Sequence, residues 1–185
     1  NGNIKIINVN TLGVLYVLER GDQGIQSIAD LKGKTIYATG QGATPEYVFN
    51  YILRENGIDP EKDVTVEYKS EHTELATLLA SGQADLAVLP QPFVTSVLAK
   101  NADVKVVLDL TEEWEKVSGE DKPLAMGVTI VNAAFLNENK AAVDTFIEEM
   151  DASVKFTNEN PEEAADLIEK YEIMAAGVAK AAIPA

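Results

Sequence analysis

Cysteine is absent from all 185 residues, so neither a disulfide nor a thiolate metal centre can be built. Histidine occurs once, at His72 between Glu71 and Thr73, and reads as a solvated residue at a helix start. A metal site on His72 would lack cysteine partners, and a Ser-His-Asp centre would lack its G-x-S-x-G elbow. No catalytic residue, metal ligand or cofactor is therefore expected. Positive charge is scarce: 15 Lys and Arg stand against 30 Asp and Glu, a net charge of −15. Such a chain repels nucleic acid and anionic membrane surfaces, so no nucleic-acid partner is expected. No run of about 18 apolar residues exists to span a bilayer. Repeats and low-complexity segments are missing too. The chain opens on "NGNIKIINVN" and closes on "AAIPA", and both ends are expected to be cuts in a longer protein.

What remains is an alternation of strands and helices, in a chain long enough for one domain or two small lobes. "IKIINV" and "GVLYVLE" are β-rich, and "SIADLKG" follows as a short helix from Ser27 to a stop at Gly33. "KTIYAT" is a strand, and "TPEYVFNYILRENG" a helix with Thr44 at the N-cap, Pro45 at N1 and Gly57 beyond its end. "DVTVEYK", "DLAVLP" and "VKVVLDL" are further strands, separated by the helices "EHTELATLLASGQ" and "PFVTSVLAKN". Phe93, Val94, Val97 and Leu98 form the inner side of the second of these helices. "TEEWEKVSGEDK" reads as an acidic loop before the strand "MGVTIV". The last third is helical, with the stripe Val143, Phe146, Ile147, Met150 and Val154 and a capping box expected from Asn160 to Glu163. Apolar strands joined through helices predict an α/β fold: a mostly parallel sheet flanked by helices, with "TIYAT", "VTVEY", "LAVLP" and "VKVVLDL" as neighbours.

Ligands of open α/β sheets bind beyond the carboxyl ends of the strands, which selects the loops to inspect. After "TIYAT" comes Gly40-Gln41-Gly42-Ala43-Thr44, leading into a helix. Two readings stay open. Glycines, free N–H groups and the Thr44 hydroxyl can cradle an anion, or they can simply make a turn and cap a helix. The loop is neither a dinucleotide fingerprint nor a phosphate loop, because the third glycine position falls on Pro45 and no Gly-Lys-Ser/Thr follows. Pro90-Gln91-Pro92 holds one amide stiffly at a strand end, as a ligand contact or as a plain turn. Trp114 is either a stacking wall or packed under its own segment. The acidic stretches "EEWEK" and "PEEAADLIEK" read as solvated faces.

"IADLKGKTIYATGQGATPEYVFNYILRENGIDPEKDVTVEY", "ELATLLASGQADLAVLPQPFVTSVL" and "NPEEAADLIEKY" together resemble the solute-binding proteins of ABC importers, in particular the group serving nitrate, sulfonate, taurine and thiamine-precursor uptake. The resemblance runs from about Ile4 to Tyr171. It implies a type II periplasmic-binding-protein fold with a ligand cleft between two lobes. Residues 15–130 would form the second ligand-binding lobe, and 1–14 with 131–185 an incomplete first lobe. Gln41, Gly42, Ala43, Thr44, Gln91 and Pro92 would line the ligand, with Thr11 near the hinge. The expected function is capture of a small organic or anionic molecule by hinge closure through "GVLYVLE" and "MGVTIV", and delivery to a membrane permease. The resemblance places the protein outside the cytoplasm, in the periplasm or lipid-anchored. Neither of the two arginines, Arg20 and Arg54, lies in the candidate loops, which points away from nitrate or sulfonate and towards a ligand held by amides and apolar walls. An enzyme on the same fold, such as a thiamine-pyrimidine-precursor synthase, would need a nucleophile, base or cofactor lysine in these loops. An effector domain of a transcription regulator would need a DNA-binding region. The uncovered apolar stripe also predicts self-association of the fragment as a non-native dimer.

Overall fold

The computed structural model describes residues 2–119 and 121–184. In chain order the elements are β1 (Ile4–Thr11), β2 (Leu15–Arg20), β3 (Thr35–Thr39), α1 (Thr44–Glu55), β4 (Thr65–Lys69), α2 (His72–Ser81), β5 (Leu86–Pro90), α3 (Phe93–Lys100), β6 (Val104–Asp109), α4 (Leu110–Ser118), β7 (Gly127–Asn132), α5 (Ala133–Glu138), α6 (Lys140–Glu159), α7 (Pro161–Lys170) and α8 (Ala176–Ala182). A 3₁₀ turn, Ile28–Leu31, precedes β3. The fold is α/β. The chain divides into two compact units, residues 13–126 and residues 1–12 with 127–185. No described helix is long and apolar enough to cross a membrane.

The larger unit is a five-stranded sheet in the order β4-β3-β5-β2-β6. β3 pairs in parallel with β4 and with β5, while β2 runs antiparallel to both β5 and β6. Four of the five strands therefore point the same way, as expected, but "VKVVLDL" is not a direct neighbour of the other three. "GVLYVLE" is inserted between them. β2 and β7 were expected to cross between lobes. Instead β2 lies wholly inside this sheet and β7 wholly in the other unit, and the connections fall at Leu12–Gly13 and Met126–Gly127.

Strand alternation explains why the sheet is apolar on both faces. Leu86 and Val88 of β5 face one helical layer, where Phe49, Ile52 and Leu53 of α1 are buried. Ala87 and Leu89 face the other, with Leu75 and Leu79 of α2 and Val94 and Val97 of α3. Leu98 of α3, expected inside, is exposed. The acidic segment after β6 is a helix rather than a loop. The Asp109 carboxylate caps it by accepting the Thr111 N–H at 2.7 Å.

The smaller unit pairs β1 and β7 antiparallel, with Ile6 opposite Ile130 and Val9 opposite Val128 across two bulges. Ile4, Ile6, Val9, Val128 and Ile130 are all exposed, Ile6 by 65%. Of the stripe on α6, Val143 is buried, whereas Phe146 remains 51% exposed. The capping box expected at α7 is not formed: Asn160 is the N-cap but makes no side-chain cap bond.

Candidate ligand site at the strand ends

The carboxyl ends of β3, β4 and β5 converge in the larger unit because these three strands are parallel neighbours. The loop after β3 begins at Gly40, whose φ of +77° suits glycine. A Cβ there would also lie 2.9 Å from the Pro45 ring. Gly42 has φ +75°, but a Cβ added to it would meet nothing within 4 Å. Conformation, not crowding, thus requires the second glycine.

Helix α1 starts one residue earlier than the cap pattern predicts. Ala43 is the N-cap, Thr44 is the first helical residue, and no side chain caps the helix. The Gly42 N–H instead donates to the Glu46 carboxylate at 2.6 Å. Ala43 N–H donates to Gly40 C=O at 3.0 Å, closing the turn. Gln41, Gly42, Ala43 and Thr44 are all exposed.

At the end of β5, Gln91 is held stiffly but spends its acceptor internally. Its Oε1 takes the Thr95 N–H at 3.2 Å and the Thr95 hydroxyl at 2.9 Å, so it caps α3. The Gln91 N–H donates to Val14 C=O at 3.0 Å, and Pro92 is the helix N-cap after a cis peptide bond. Thr11 lies in the smaller unit, where its hydroxyl donates to Asn10 Oδ1 at 3.0 Å.

Residues not anticipated from the sequence share the same edge. A cavity of about 290 Å³ is lined by Gly40, Gln41, Tyr68, Lys69 and Ser70. Lys69, the last residue of β4, has its Nζ 5.2 Å from the Tyr37 ring centre and 3.8 Å from the Glu67 carboxylate. Its side chain is 26% exposed. A fixed ammonium therefore stands at the strand ends after all, supplied by lysine rather than arginine. Tyr68 beside it is pushed up to about 12, by burial first and then by the Glu46 carboxylate.

His72 is not a freely solvated residue. Its Nδ1 lies 2.6 Å from the hydroxyl of Thr39, a side chain only 4% exposed at the end of β3. Its ring packs on Phe93 with centroids 5.0 Å apart. Burial lowers its pKa below the ordinary histidine value, against an opposing pull from Glu71, so the imidazole is neutral at pH 7. The strand-end rule applied to the third parallel strand, "VTVEYK", would have singled out Lys69 to His72. Trp114 packs with its own segment: Nε1 donates to Lys122 C=O at 2.8 Å and the ring lies 5.2 Å from Tyr51. Among the described residues, no cluster of three His, Asp or Glu side chains is arranged to hold a metal.

Amides, a hydroxyl pair, a neutral imidazole, a phenol and one ammonium suit reversible binding of a small polar molecule. This inventory on a mixed α/β sheet defines the class. Residues 10–182 match the family described as "ABC transporter, phosphonate, periplasmic substrate-binding protein", and the chain belongs to that family. It is 28% identical over 127 residues to YtlA, a binding protein of Bacillus subtilis, covering 69% of this chain and 33% of that one. Among solved structures, an ABC transporter protein from Parabacteroides distasonis superposes with a TM-score of 0.74 at 22% identity, covering 95% of this chain and 56% of that one. The periplasmic aliphatic sulphonate binding protein SsuA of Escherichia coli gives a TM-score of 0.72 at 18% identity, covering 98% and 55%. The chain thus spans one third to just over half the length of these relatives.

Proposed function

We propose that this chain is part of the solute-binding component of an ABC importer. It binds a small organic or anionic molecule without making or breaking a bond, and the full-length protein hands that molecule to a membrane permease. The observation that carries the reading is the convergence of polar groups at the ends of β3, β4 and β5 in a chain of this family. In this reading Gln41 to Thr44, Gln91 and Pro92 contribute to the ligand wall, joined by Lys69 and His72, and Thr11 serves the hinge. Residues 15–130 are assigned as the ligand-binding lobe, and 1–14 with 131–185 as part of the other. Hinge closure then selects the liganded state. The family description places the protein outside the cytoplasmic membrane, and a lipid anchor is one way to keep it near its permease. No feature of the comparisons favours the synthase or regulator alternatives.

The test is a thermal-shift screen of the full-length protein against small metabolites and oxyanions, followed by calorimetry. A true ligand at 100 times its Kd should stabilise the protein by about 2.7 kcal/mol. A screen in which no solute raises the melting temperature would overturn the reading.

A further inference from the structure

The mouth of α1 carries its own negative charge. Glu46 folds back so that its carboxylate accepts the Gly42 N–H at 2.6 Å. Pro45 has no N–H, and the Ala43 N–H is spent on Gly40 C=O. An anionic ligand group placed at this mouth would meet few free donors and a like charge. The adjoining cavity, lined by Gly40, Gln41, Tyr68, Lys69 and Ser70, has its ammonium on the opposite, β4 side. Glu67, 3.8 Å from Lys69 Nζ, is too distant for a tight pair and leaves the ammonium available. The elevated pKa of Tyr68, to which Glu46 contributes, agrees with a carboxylate close to the cavity wall.

We propose that Glu46 is a specificity-determining residue of this cavity: Lys69 holds the anionic end of the ligand, and the Glu46 carboxylate excludes a second anion at the α1 mouth and favours a cationic or hydrogen-bond-donating end there. The ligand class is therefore a small zwitterion or amine-bearing anion. This inference rests on the solute-binding reading above.

The test uses two probes that share one anion and differ by one ammonium, ethylphosphonate and 2-aminoethylphosphonate. Both are titrated calorimetrically into the full-length protein and into its Glu46→Gln and Lys69→Gln variants. Glutamine at 46 keeps an acceptor for the Gly42 N–H, so an unchanged melting curve verifies the fold. Wild type should prefer the amino probe by about tenfold or more, the scale of one desolvated charge pair. Glu46→Gln should bring the two affinities to within about twofold, chiefly by tightening ethylphosphonate, and Lys69→Gln should weaken both. A preference ratio unchanged in Glu46→Gln overturns the proposal. So does failure of wild type to bind either probe. If another solute from the metabolite screen still stabilises the protein in that case, the solute-binding function stands and only the role of Glu46 falls.

Discussion

Replacing Thr39 by valine removes one buried hydroxyl and keeps the shape of the side chain. The hydroxyl is bonded to His72 Nδ1 at 2.6 Å, and a methyl in its place ends that bond. His72 is half-buried, so water can partly replace the lost partner, and the cost should be about 1 kcal/mol. Replacing His72 by alanine should cost more. It leaves the Thr39 hydroxyl, 4% exposed, without a partner, at about 1–3 kcal/mol. It also removes the ring packed on Phe93 at 5.0 Å, worth about 0.5–1 kcal/mol more. The double variant should then show a coupling energy of about 1 kcal/mol. Urea denaturation followed by Trp114 fluorescence is the suitable assay. Trp114 is the one tryptophan and lies in the same compact unit as the pair, so its signal reports this unit even where the other unfolds separately. Additive single losses, or a His72→Ala variant no less stable than Thr39→Val, would refute the reasoning. The pair also sets a pH dependence. The folded pKa of His72 is depressed by burial, so the unfolded chain takes up the proton more readily. Stability is complete above the ordinary histidine range and declines as pH falls from 7 through it. With a single histidine in the chain, His72→Gln should flatten that decline between about pH 7 and 5.

Thr44→Ala should leave stability within about 0.5 kcal/mol of wild type, because Thr44 caps nothing; a loss near 1 kcal/mol in chemical denaturation would restore the cap reading. Leu53→Ala in α1, fully buried against the sheet, should cost about 2–5 kcal/mol by the same assay, and a loss below 1 kcal/mol would mean that this helix packs loosely. Lysine at both Ile6 and Ile130 should suppress self-association of the 185-residue chain in light scattering with little change in melting temperature; undiminished association would clear the β1–β7 face of that role.

The sequence by itself determined the class of fold and the order of its elements. Runs such as "LAVLP" are apolar at every position, which only a strand covered on both faces tolerates, and β5 is buried so. Gly33 and Gly82 ended their helical segments where the pattern placed them, since the left-handed conformation that stops a helix is a local preference of one residue. The strand-end rule likewise pointed to the loop at Gly40–Thr44. Tertiary structure decided the rest. Periodicity carries no information about partners, so nothing in "GVLYVLE" revealed that β2 would insert antiparallel between β5 and β6. Thr44 had the right chemistry for a cap, but the Glu46 carboxylate reached back to the Gly42 N–H and the helix began a residue early. His72 and Lys69 looked like ordinary surface residues beside Glu71 and Glu67. Their neighbours that matter, Thr39, Phe93 and Tyr37, lie on other elements and come within reach only once the parallel strands stand side by side. Burial and through-space charge are properties of the assembled sheet, and these set the character of the candidate site.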